Sequence, residues 1–298
     1  METAISVKNF SKAFLDKKVV SNLNFEVQEG ELFAFLGPNG SGKTTTIRCL
    51  LNIIPKSSGE LLVFGKEYKQ EMSLLLGYLP EERGLYNNSS VKEIMVYFGQ
   101  LKGLSYQQAV KDTNAFLERV GLIDKLDNKI KTLSSGQQQK IQLGLTLINK
   151  PKLLILDEPT KGLDPVNRSL LLDILFELNN SNASTIFFST HQMEEAEKIA
   201  DRLLMLNKGK SVLYGNLHDV INAHSEDLYQ LEVDGDIYKN EKLYSFEHVD
   251  SKIMLRPKEG VKIEEIIKKL INDGVHLKSF SRKYKSLEEI FISAVKNS

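Results

Sequence analysis

The chain has 298 residues, more than the roughly 100 to 200 residues of one compact domain, so its length favours a large domain with a smaller one. Its 39 basic and 39 acidic side chains give no net charge, which argues against a nucleic-acid-binding protein that relies on a broad electropositive surface. The lone Cys49 excludes an internal disulfide, and the sequence holds no run of about 18 apolar residues of the kind that predicts a membrane-spanning helix.

The N-terminal part of the sequence predicts three short strands and a helix. β-Branched and aromatic residues are concentrated at Ile5 to Phe10, Leu23 to Val27 and Leu32 to Leu36, and the last of these runs ends in the glycine-rich GPNGSGKTTT. A helix is predicted from Lys43 to about Ile54. This order of strand, glycine-rich loop and helix is typical of a phosphate-binding unit.

The middle of the chain predicts helices that alternate with buried strands. Ser90 and Glu93 form an S-x-x-E capping box, and a second helix is predicted over Ser105 to Val120. The first of these helices carries one apolar stripe, formed by Val91, Ile94, Met95, Phe98 and Leu101. The runs Leu153 to Leu156 and Thr185 to Ser189 are apolar throughout, as strands buried on both faces of a parallel sheet are.

The pattern changes after Gly215, where a domain boundary is predicted between Gly215 and Glu226. Leu231 with Val233, and then Ile253 to Leu255, predict short strands. Two amphipathic helices follow, the first marked by Ile263, Ile266, Ile267, Leu270 and Ile271, and the second by Leu287, Ile290, Phe291, Ala294 and Val295.

The glycine-rich loop satisfies the pattern G-x-x-x-x-G-K-[ST], in which backbone N–H groups approach phosphate oxygens. It predicts a binding site for ATP formed by Gly37, Pro38, Asn39, Gly40, Ser41, Gly42, Lys43, Thr44 and Thr45. Lys43 is expected to reach the β- and γ-phosphates, and Thr44 to offer its hydroxyl to Mg²⁺. A chance glycine-rich loop is the alternative, and the flanking strand and helix argue against it.

A pair of carboxylates follows the apolar strand LLIL. Asp157 and Glu158 lie where an α/β sheet gathers its ligands, so Asp157 is predicted to hold Mg²⁺ and Glu158 to polarise the attacking water. The alternative is that Asp-Glu-Pro merely ends a strand.

Between these two motifs lies Leu133-Ser-Ser-Gly-Gln137, which resembles the LSGGQ signature of ABC proteins. Ser134 can cap a helix whose N-terminal N–H groups favour an anion, although an ordinary helix cap is the alternative. The resemblance implies a head-to-tail pair of chains in which Ser134, Gly136 and Gln137 of one subunit close over the nucleotide of the other. One chain would then hold two half-sites.

The resemblance extends to three further positions in the family's order. It implies that Asp164, in GLDP, crosses the dimer interface and that His191, after TIFFST, contacts the γ-phosphate. It also gives Phe14 the place of the aromatic residue that stacks on adenine. A core phenylalanine is the alternative for Phe14.

Three positions depart from the family pattern, and two of them, Glu81 and Lys161, change the charge. Glu81, in YLPEERGLY, stands at the position of the Q-loop glutamine; its carboxylate can face Mg²⁺ but, while ionised, donates no hydrogen bond. Lys161 stands where a serine commonly precedes the Gly-Leu-Asp of the D-loop. Both places are expected to pass signals between the ATP site and the membrane partner. Ser135 also replaces a glycine of the signature.

The resemblance implies an α/β P-loop NTPase fold with a mixed, largely parallel core sheet, an antiparallel β subdomain and a helical signature subdomain at about residues 84–150. These parts form an ABC-type domain over residues 1–222, followed by a small α+β accessory domain over residues 223–298.

PEERGLY and the small C-terminal domain resemble the ATPases of bacterial ABC-2 type exporters. The implied function is an ATP-hydrolysing motor at the cytoplasmic face of the cell membrane. Its partners would be a second ATP-binding subunit and separate membrane-spanning subunits, with no nucleic acid. The alternatives are a membrane-free ABC ATPase acting on ribosomes or DNA and a generic P-loop kinase or GTPase; the signature argues against the latter.

Overall fold

The computed structural model of the chain describes residues 2–15, 17–82, 84–182, 184–234, 237, 240–249 and 252–296, so Arg83 of the PEERGLY segment lies outside the described residues. The chain forms two compact units, one ending at Leu217 and the other extending from His218 to Lys296. The boundary predicted after residue 222 falls inside the helix at the start of the second unit.

The first unit contains nine strands and six helices among its described residues. The strands are β1 (Thr3–Phe14), β2 (Lys17–Gln28), β3 (Leu32–Leu36), β4 (Ser58–Val63), β5 (Leu76–Leu79), β6 (Leu153–Asp157), β7 (Thr185–Thr190), β8 (Arg202–Asn207) and β9 (Lys210–Asn216). The helices are α1 (Lys43–Leu50), α2 (Val91–Leu101), α3 (Tyr106–Arg119), α4 (Ser135–Leu147), α5 (Pro165–Asn182) and α6 (Met193–Ile199).

The core sheet of this unit has the strand order β5-β6-β7-β3-β8-β9. Its first five strands run parallel, and β9 pairs antiparallel with β8. Every residue of β3 and β6 is buried, which explains why their sequences, LFAFL and LLILD, are apolar up to the final aspartate. Because the strands are parallel, the segments that follow β3, β5, β6 and β7 meet at one edge of the sheet.

A second sheet, antiparallel and ordered β2-β1-β4, packs against the core sheet. Aromatic rings join the two layers: the ring centroid of Phe25 in β2 lies 5.8 Å from that of Phe33 and 5.9 Å from that of Phe187. Offset stacking of this kind adds about 1 kcal/mol per pair to the free energy of burial. The antiparallel sheet thereby holds its β1–β2 hairpin beside the core.

Helices α2, α3 and α4 share a buried apolar cluster that includes Ile94, Leu117 and Ile141. The predicted capping box is present at the start of α2, where Ser90 Oγ accepts a hydrogen bond from Glu93 N at 3.2 Å and Glu93 Oε2 accepts one from Ser90 N at 2.7 Å. These three helices form the helical subdomain between β5 and β6.

The second unit begins with α7 (Leu217–His224) and contains a four-stranded antiparallel sheet. Its strand order is β11-β12-β10-β13, with β10 (Tyr229–Asp234), β11 (Tyr244–Val249), β12 (Lys252–Pro257) and β13 (His276–Arg282). Helix α8 (Ile263–Asn272) buries Ile266 and Leu270 in a cluster with residues of the sheet, and α9 (Leu287–Lys296) ends the described chain. Among the described helices of either unit, none is long and apolar enough to cross a lipid bilayer.

Some elements differ from the sequence-based predictions. Helix α1 ends at Leu50 rather than near Ile54, because Asn52 takes a left-handed conformation with φ 53° and Pro55 follows. The sequence patterns did not predict β4, β5, β8, β9, β11 or β13. Of these, β5 has only four residues, and the residues of β13 are mostly exposed and polar. Neither segment carries a strong hydrophobic period.

Candidate functional site

The glycine-rich loop follows β3 and leads into α1. Gly37 has φ +151°, and a Cβ atom added there would lie 2.2 Å from the carbonyl oxygen of Leu206 in β8. Gly42 has φ +113°, and a Cβ atom added there would lie 2.9 Å from Val20 Cγ2. Only glycine therefore fits at these two positions, and the loop keeps its backbone close to neighbouring strands.

Lys43 lies at the start of α1 and its side chain is buried. Its Nζ donates a hydrogen bond to the carbonyl oxygen of Gly37 at 2.7 Å, and the same Nζ lies 3.3 Å from Oε1 of Glu158. The side chains of both residues are only 6% and 5% exposed, so this ion pair is shielded from water. The predicted phosphate-binding lysine and the predicted catalytic glutamate therefore lie together.

Asp157 ends β6 and is completely buried. Ser189 in the neighbouring strand β7 donates a hydrogen bond to its Oδ1 at 2.5 Å. Burial raises the pKa of Asp157, and the nearby carboxylates of Glu81 and Glu158 raise it further, whereas the hydrogen bond from Ser189 lowers it. A cation at this edge would favour the charged form of Asp157.

Glu158 contacts both Lys43 and His191, the histidine that is predicted to contact the γ-phosphate. Its Oε2 lies 2.8 Å from Nδ1 of His191, which follows β7. Its backbone N–H donates to the hydroxyl and the carbonyl oxygen of Ser189, both at 3.1 Å. Glu158 has φ 51°, a left-handed conformation that costs about 1 kcal/mol or more for a non-glycine residue. Such local strain is concentrated at functional sites, and here it fixes the direction of the carboxylate.

Glu81, in the segment after β5, joins the same cluster. Thr44 Oγ1 donates to its Oε2 at 3.4 Å, and Lys161 Nζ lies 2.6 Å from its Oε1. The hydrogen bond from Lys161 is the main cause that lowers the pKa of Glu81, and Glu81 in turn raises the pKa of Lys161. The two charged residues that depart from the family pattern thus form an ion pair.

Two buried oxygens test whether this cluster fits a nucleotide and Mg²⁺. Ser41 Oγ, in the glycine-rich loop, and Asp157 Oδ2 are buried and form no hydrogen bond of normal geometry within the described part of the chain. Most buried polar atoms in folded proteins are paired. A hydroxyl oxygen and carboxylate oxygens are the donors that Mg²⁺ prefers, and Lys43 supplies the positive charge for phosphates. The residues therefore fit both ligands.

Phe14 lies at the end of β1 and its side chain is 46% exposed, so it is not a core residue. Lys12 Nζ lies 4.4 Å from the centroid of the Phe14 ring and donates a hydrogen bond to the carbonyl oxygen of Pro55 at 2.7 Å. Lys12 pairs with Val20, which packs beside Gly42, so Phe14 lies two residues, or about 7 Å, further along the strand. The exposed ring thus lies on the hairpin whose second strand packs beside the glycine-rich loop.

The signature residues begin helix α4. Ser134 Oγ accepts a hydrogen bond from Gln137 N at 3.3 Å, and Gln137 Oε1 accepts one from Ser134 N at 2.9 Å, which completes a capping box. Ser134 is exposed, and a Cβ atom added to Gly136 would lie 3.4 Å from Leu163 Cδ2. Within the described residues, no hydrogen bond or ion pair joins this helix start to the glycine-rich loop of the same chain.

Two glutamines further along α4 were not singled out by the sequence analysis. Gln139 Nε2 donates to the carbonyl oxygen of Pro159 at 2.9 Å, directly after Glu158. Gln142 Nε2 lies 3.4 Å from the carbonyl oxygens of Pro80 and Glu82, on either side of Glu81. Helix α4 therefore holds the backbone of both acidic segments. The run of glutamines in the signature helix was the sequence signal that could have identified them.

Asp164 caps the helix that follows it and does not join the cluster. Its Oδ1 accepts a hydrogen bond from Asn167 N at 3.0 Å, and this bond lowers the pKa of Asp164. The carboxylate is exposed at the start of α5.

Glu195 is a further buried carboxylate that the sequence analysis missed. Thr160 donates to its Oε1 at 2.6 Å, Thr190 donates to its Oε2 at 2.8 Å, and Arg168 Nε lies 3.6 Å away. Thr160 precedes Lys161 and Thr190 precedes His191, so Glu195 joins the segments that follow β6 and β7. The sequence shows it only as one of several acids in an amphipathic helix.

Comparison with known families matches both parts of the chain. Residues 20–161 match the family described as ABC transporter, and residues 215–295 match the family described as ATP-binding protein DrrA1-3-like, C-terminal domain. Among solved structures, cbiO1 of Clostridium perfringens, part of the ABC transporter complex cbiONQ, superposes with a TM-score of 0.66 at 26% identity over 74% of this chain and 92% of its own.

Three relatives are similar over most of their length. The ABC transporter ATP-binding protein MJ1023 of Methanocaldococcus jannaschii is 45% identical over 74% of this chain and 80% of its own. YhaQ of Bacillus subtilis, also described as an ABC transporter ATP-binding protein, is 36% identical over 98% of both chains. The Nod factor export ATP-binding protein I of Cupriavidus metallidurans is 37% identical over 75% of this chain and 74% of its own.

Proposed function

The chain belongs to the ABC transporter family of ATP-binding proteins, and on that premise we propose that it powers an exporter by hydrolysing ATP at the carboxyl edge of its core sheet. It is an ATP-binding and ATP-hydrolysing subunit of a membrane transporter. The observation that carries the assignment of the site is the contact of Glu158 with both Lys43 and His191.

The proposed roles follow from these contacts. Lys43 binds the β- and γ-phosphates, and the glycine-rich loop Gly37 to Gly42 directs its N–H groups at them. Glu158 orients the attacking water and accepts its proton, while His191 holds the carboxylate in place and contacts the γ-phosphate. Catalysis at such a site depends mainly on positioning the reacting groups and compensating their charge. The buried carboxylate of Glu158, held by Lys43 and His191, contributes to both.

Thr44, Asp157 and Glu81 are the proposed ligands of Mg²⁺. The ion, when bound, neutralises charge on the phosphates during transfer. Asp157 contributes a buried carboxylate that Ser189 holds in one orientation, and Thr44 contributes the hydroxyl that now donates to Glu81. Phe14 is proposed to stack on adenine, because its ring is exposed on the hairpin that packs beside the glycine-rich loop.

The signature residues are proposed to serve the ATP of a second subunit, and dimerisation is general to this family. Ser134, Gly136 and Gln137 lie at an exposed helix start whose N–H groups favour an anion, and they form no bond to the glycine-rich loop within the described chain. Asp164 lies at the exposed start of α5, next to the same surface through Leu163. A nucleotide between two chains would bring these groups to its γ-phosphate.

ABC ATPase subunits work with membrane subunits. We place their contact at a groove of about 290 Å³ between the segment after β5 and helices α2 and α4, which is lined in part by Tyr78, Leu85, Phe98 and Lys102. Gln142 lines the same groove and holds the backbone on either side of Glu81. It therefore connects the groove to this proposed Mg²⁺ ligand. Movement at the groove would therefore reach the ATP site.

Export and a position at the cytoplasmic face of the cell membrane are supported by the relative that is described as an export protein. No finding favours the alternative of a membrane-free ATPase that acts on ribosomes or DNA.

The test is ATP hydrolysis by the full chain, alone and with the membrane subunits with which it co-purifies. We expect hydrolysis that depends on Mg²⁺ and is lost in Lys43→Ala, and we expect the membrane subunits to change its rate. A chain that hydrolyses ATP equally well without Lys43 would contradict the assigned site. Stimulation by ribosomes or DNA instead of membrane subunits would contradict the transporter role.

A further inference from the structure

The two charged residues that depart from the family pattern contact each other. Glu81 follows β5 and Lys161 follows β6, 80 residues later, yet Lys161 Nζ lies 2.6 Å from Oε1 of Glu81. The other oxygen of the same carboxylate accepts a hydrogen bond from Thr44 at 3.4 Å. Lys161 thus acts on the cluster through Glu81.

The two departures also cancel in charge. Glutamate in place of glutamine adds one negative charge, and lysine in place of serine adds one positive charge. Nζ of Lys161 and Oε1 of Glu81 lie 2.6 Å apart, the distance of a charge-assisted hydrogen bond, so each charge compensates the other. The net charge beside Thr44 is therefore that of two neutral residues.

The charge of Glu81 reaches the other groups of the site. Its carboxylate contacts Thr44, and Thr44 directly follows Lys43, whose Nζ lies 3.3 Å from Oε1 of Glu158. An uncompensated carboxylate here would stand beside two more carboxylates, Asp157 and Glu158, and would repel the phosphates of a nucleotide. An uncompensated lysine would attract them.

We propose that Lys161 is a positioning residue of the nucleotide site: it holds Glu81 beside Thr44 and compensates its charge, so that the pair acts as one unit in setting the affinity for ATP and its dependence on a divalent cation. This inference rests on the proposed function, in which Lys43 and Thr44 hold the phosphates and their Mg²⁺. Substitution of Lys161 alone and substitution of Glu81 alone should change the affinity for ATP in opposite directions. Substitution of both residues should restore the wild-type affinity.

The experiment compares four full-length chains: wild type, Glu81→Gln, Lys161→Ser and the double variant. The measurement is equilibrium binding of a fluorescent ATP analogue, in a chelator and again with Mg²⁺. In the chelator, Lys161→Ser should weaken binding and Glu81→Gln should strengthen it, each by about two- to fivefold, as expected for a partly exposed ion pair. The double variant should bind as wild type does.

The dependence on Mg²⁺ gives a second readout that a purely structural role would not change. Mg²⁺ should improve binding by a larger factor in Lys161→Ser, where Glu81 is released to the cation, and by a smaller factor in Glu81→Gln. Lys161→Arg keeps the charge and should behave as wild type. Lys161 is exposed, and a melting curve of each variant checks that the chain remains folded.

The ion pair between Asp173 and Lys198, at 2.9 Å on helices α5 and α6, provides a matched control. Asp173→Asn, Lys198→Ser and their double variant should leave both binding curves unchanged. Effects of the same sign in Glu81→Gln and Lys161→Ser, or a double variant that does not return to wild-type binding, would overturn the inference. If Lys43→Ala binds the analogue as wild type does, the proposed function fails instead, whatever the pair shows.

Discussion

Nδ1 of His191 lies 2.8 Å from Oε2 of Glu158, and this contact joins the ends of two neighbouring parallel strands. The other oxygen of Glu158 faces Lys43 at 3.3 Å. Contacts of both oxygens thus fix the orientation of the carboxylate. The left-handed backbone conformation of Glu158, with φ 51°, restricts it further. Glu158 and His191 therefore form one unit whose members depend on each other.

Because they act as a unit, their substitutions should not be additive. Glu158→Gln and His191→Ala should each lower kcat for ATP hydrolysis by about 100-fold or more, and the double variant should be little worse than the poorer single one. Single-turnover hydrolysis by the three variants measures this. His276→Ala, an exposed histidine of β13, is the control and should keep full activity. Fully multiplicative losses would show that the two residues act independently.

Phe14 should contribute to nucleotide binding and not to stability. Its ring is 46% exposed, so Phe14→Ala should leave the melting temperature nearly unchanged. Loss of stacking on adenine should weaken ATP binding by about 5- to 30-fold, and Phe14→Tyr should retain it. Phe176→Ala removes a ring of similar exposure, 48%, and should not affect binding. A large loss of stability in Phe14→Ala, or unchanged ATP binding, would contradict the prediction.

The glycine-rich loop, the acidic pair and the signature could be found in the sequence because their function depends on contiguous residues and on backbone shape. At Gly37 and Gly42 the backbone has φ values and close contacts that no other residue tolerates. These two glycines therefore predict the backbone conformation of the loop. The strand before the loop is apolar because both its faces are buried. Local chemistry therefore predicted this part of the site and the layers around it.

The contacts between distant segments could not be predicted in this way. Glu81 and Lys161 each appeared as an isolated departure, since a pairing across 80 residues leaves no pattern in one sequence. Glu195 and Gln139 lie in helices with many similar polar residues, and only the packing shows which of them face inward. What the sequence lacked was the tertiary arrangement that decides which polar groups are buried together.

Glu195 should stabilise the segments that follow β6 and β7. Glu195→Ala would leave the buried hydroxyls of Thr160 and Thr190 without their acceptor, at a cost of about 1–3 kcal/mol in the free energy of unfolding. Urea unfolding measures the loss. ATPase activity should fall as well, because Thr190 precedes His191. Glu194→Ala, on the exposed side of the same helix, should change neither quantity.

The same residue should make stability depend on pH. Burial raises the pKa of Glu195 above its ordinary value of 4.5, so the folded chain binds this proton more tightly than the unfolded chain. That contribution is complete below pH 4.5 and is lost as the pH rises through the raised pKa. The stability of wild type relative to Glu195→Gln should therefore decrease as the pH rises above 4.5 and through the raised pKa. An unchanged difference over this range would contradict the prediction.

Tyr97 should contribute to the contact with the membrane subunits. It projects from α2 with 57% exposure, and its ring centroid lies 5.6 Å from that of Phe98, which lines the groove. Tyr97→Ala should weaken co-purification with the membrane subunits by at least about fivefold while basal ATP hydrolysis stays the same. Tyr106→Ala, with equal exposure on α3, is the matched control. Equal losses of co-purification in Tyr97→Ala and Tyr106→Ala would contradict a specific contact of the membrane subunits with this surface.

Mixing two inactive chains tests whether the signature serves the ATP of a partner. Lys43→Ala removes the phosphate-binding lysine, and Gly136→Asp places a negative charge at the start of α4, where an anion is proposed to bind. Each variant alone should be inactive. In a dimer that combines them, one site receives both substitutions and the other receives none, because lysine and signature come from different chains. Random pairing makes half of the dimers mixed, so the mixture should recover about one quarter of wild-type activity. If the signature served its own chain, every site would be defective and the mixture would stay inactive.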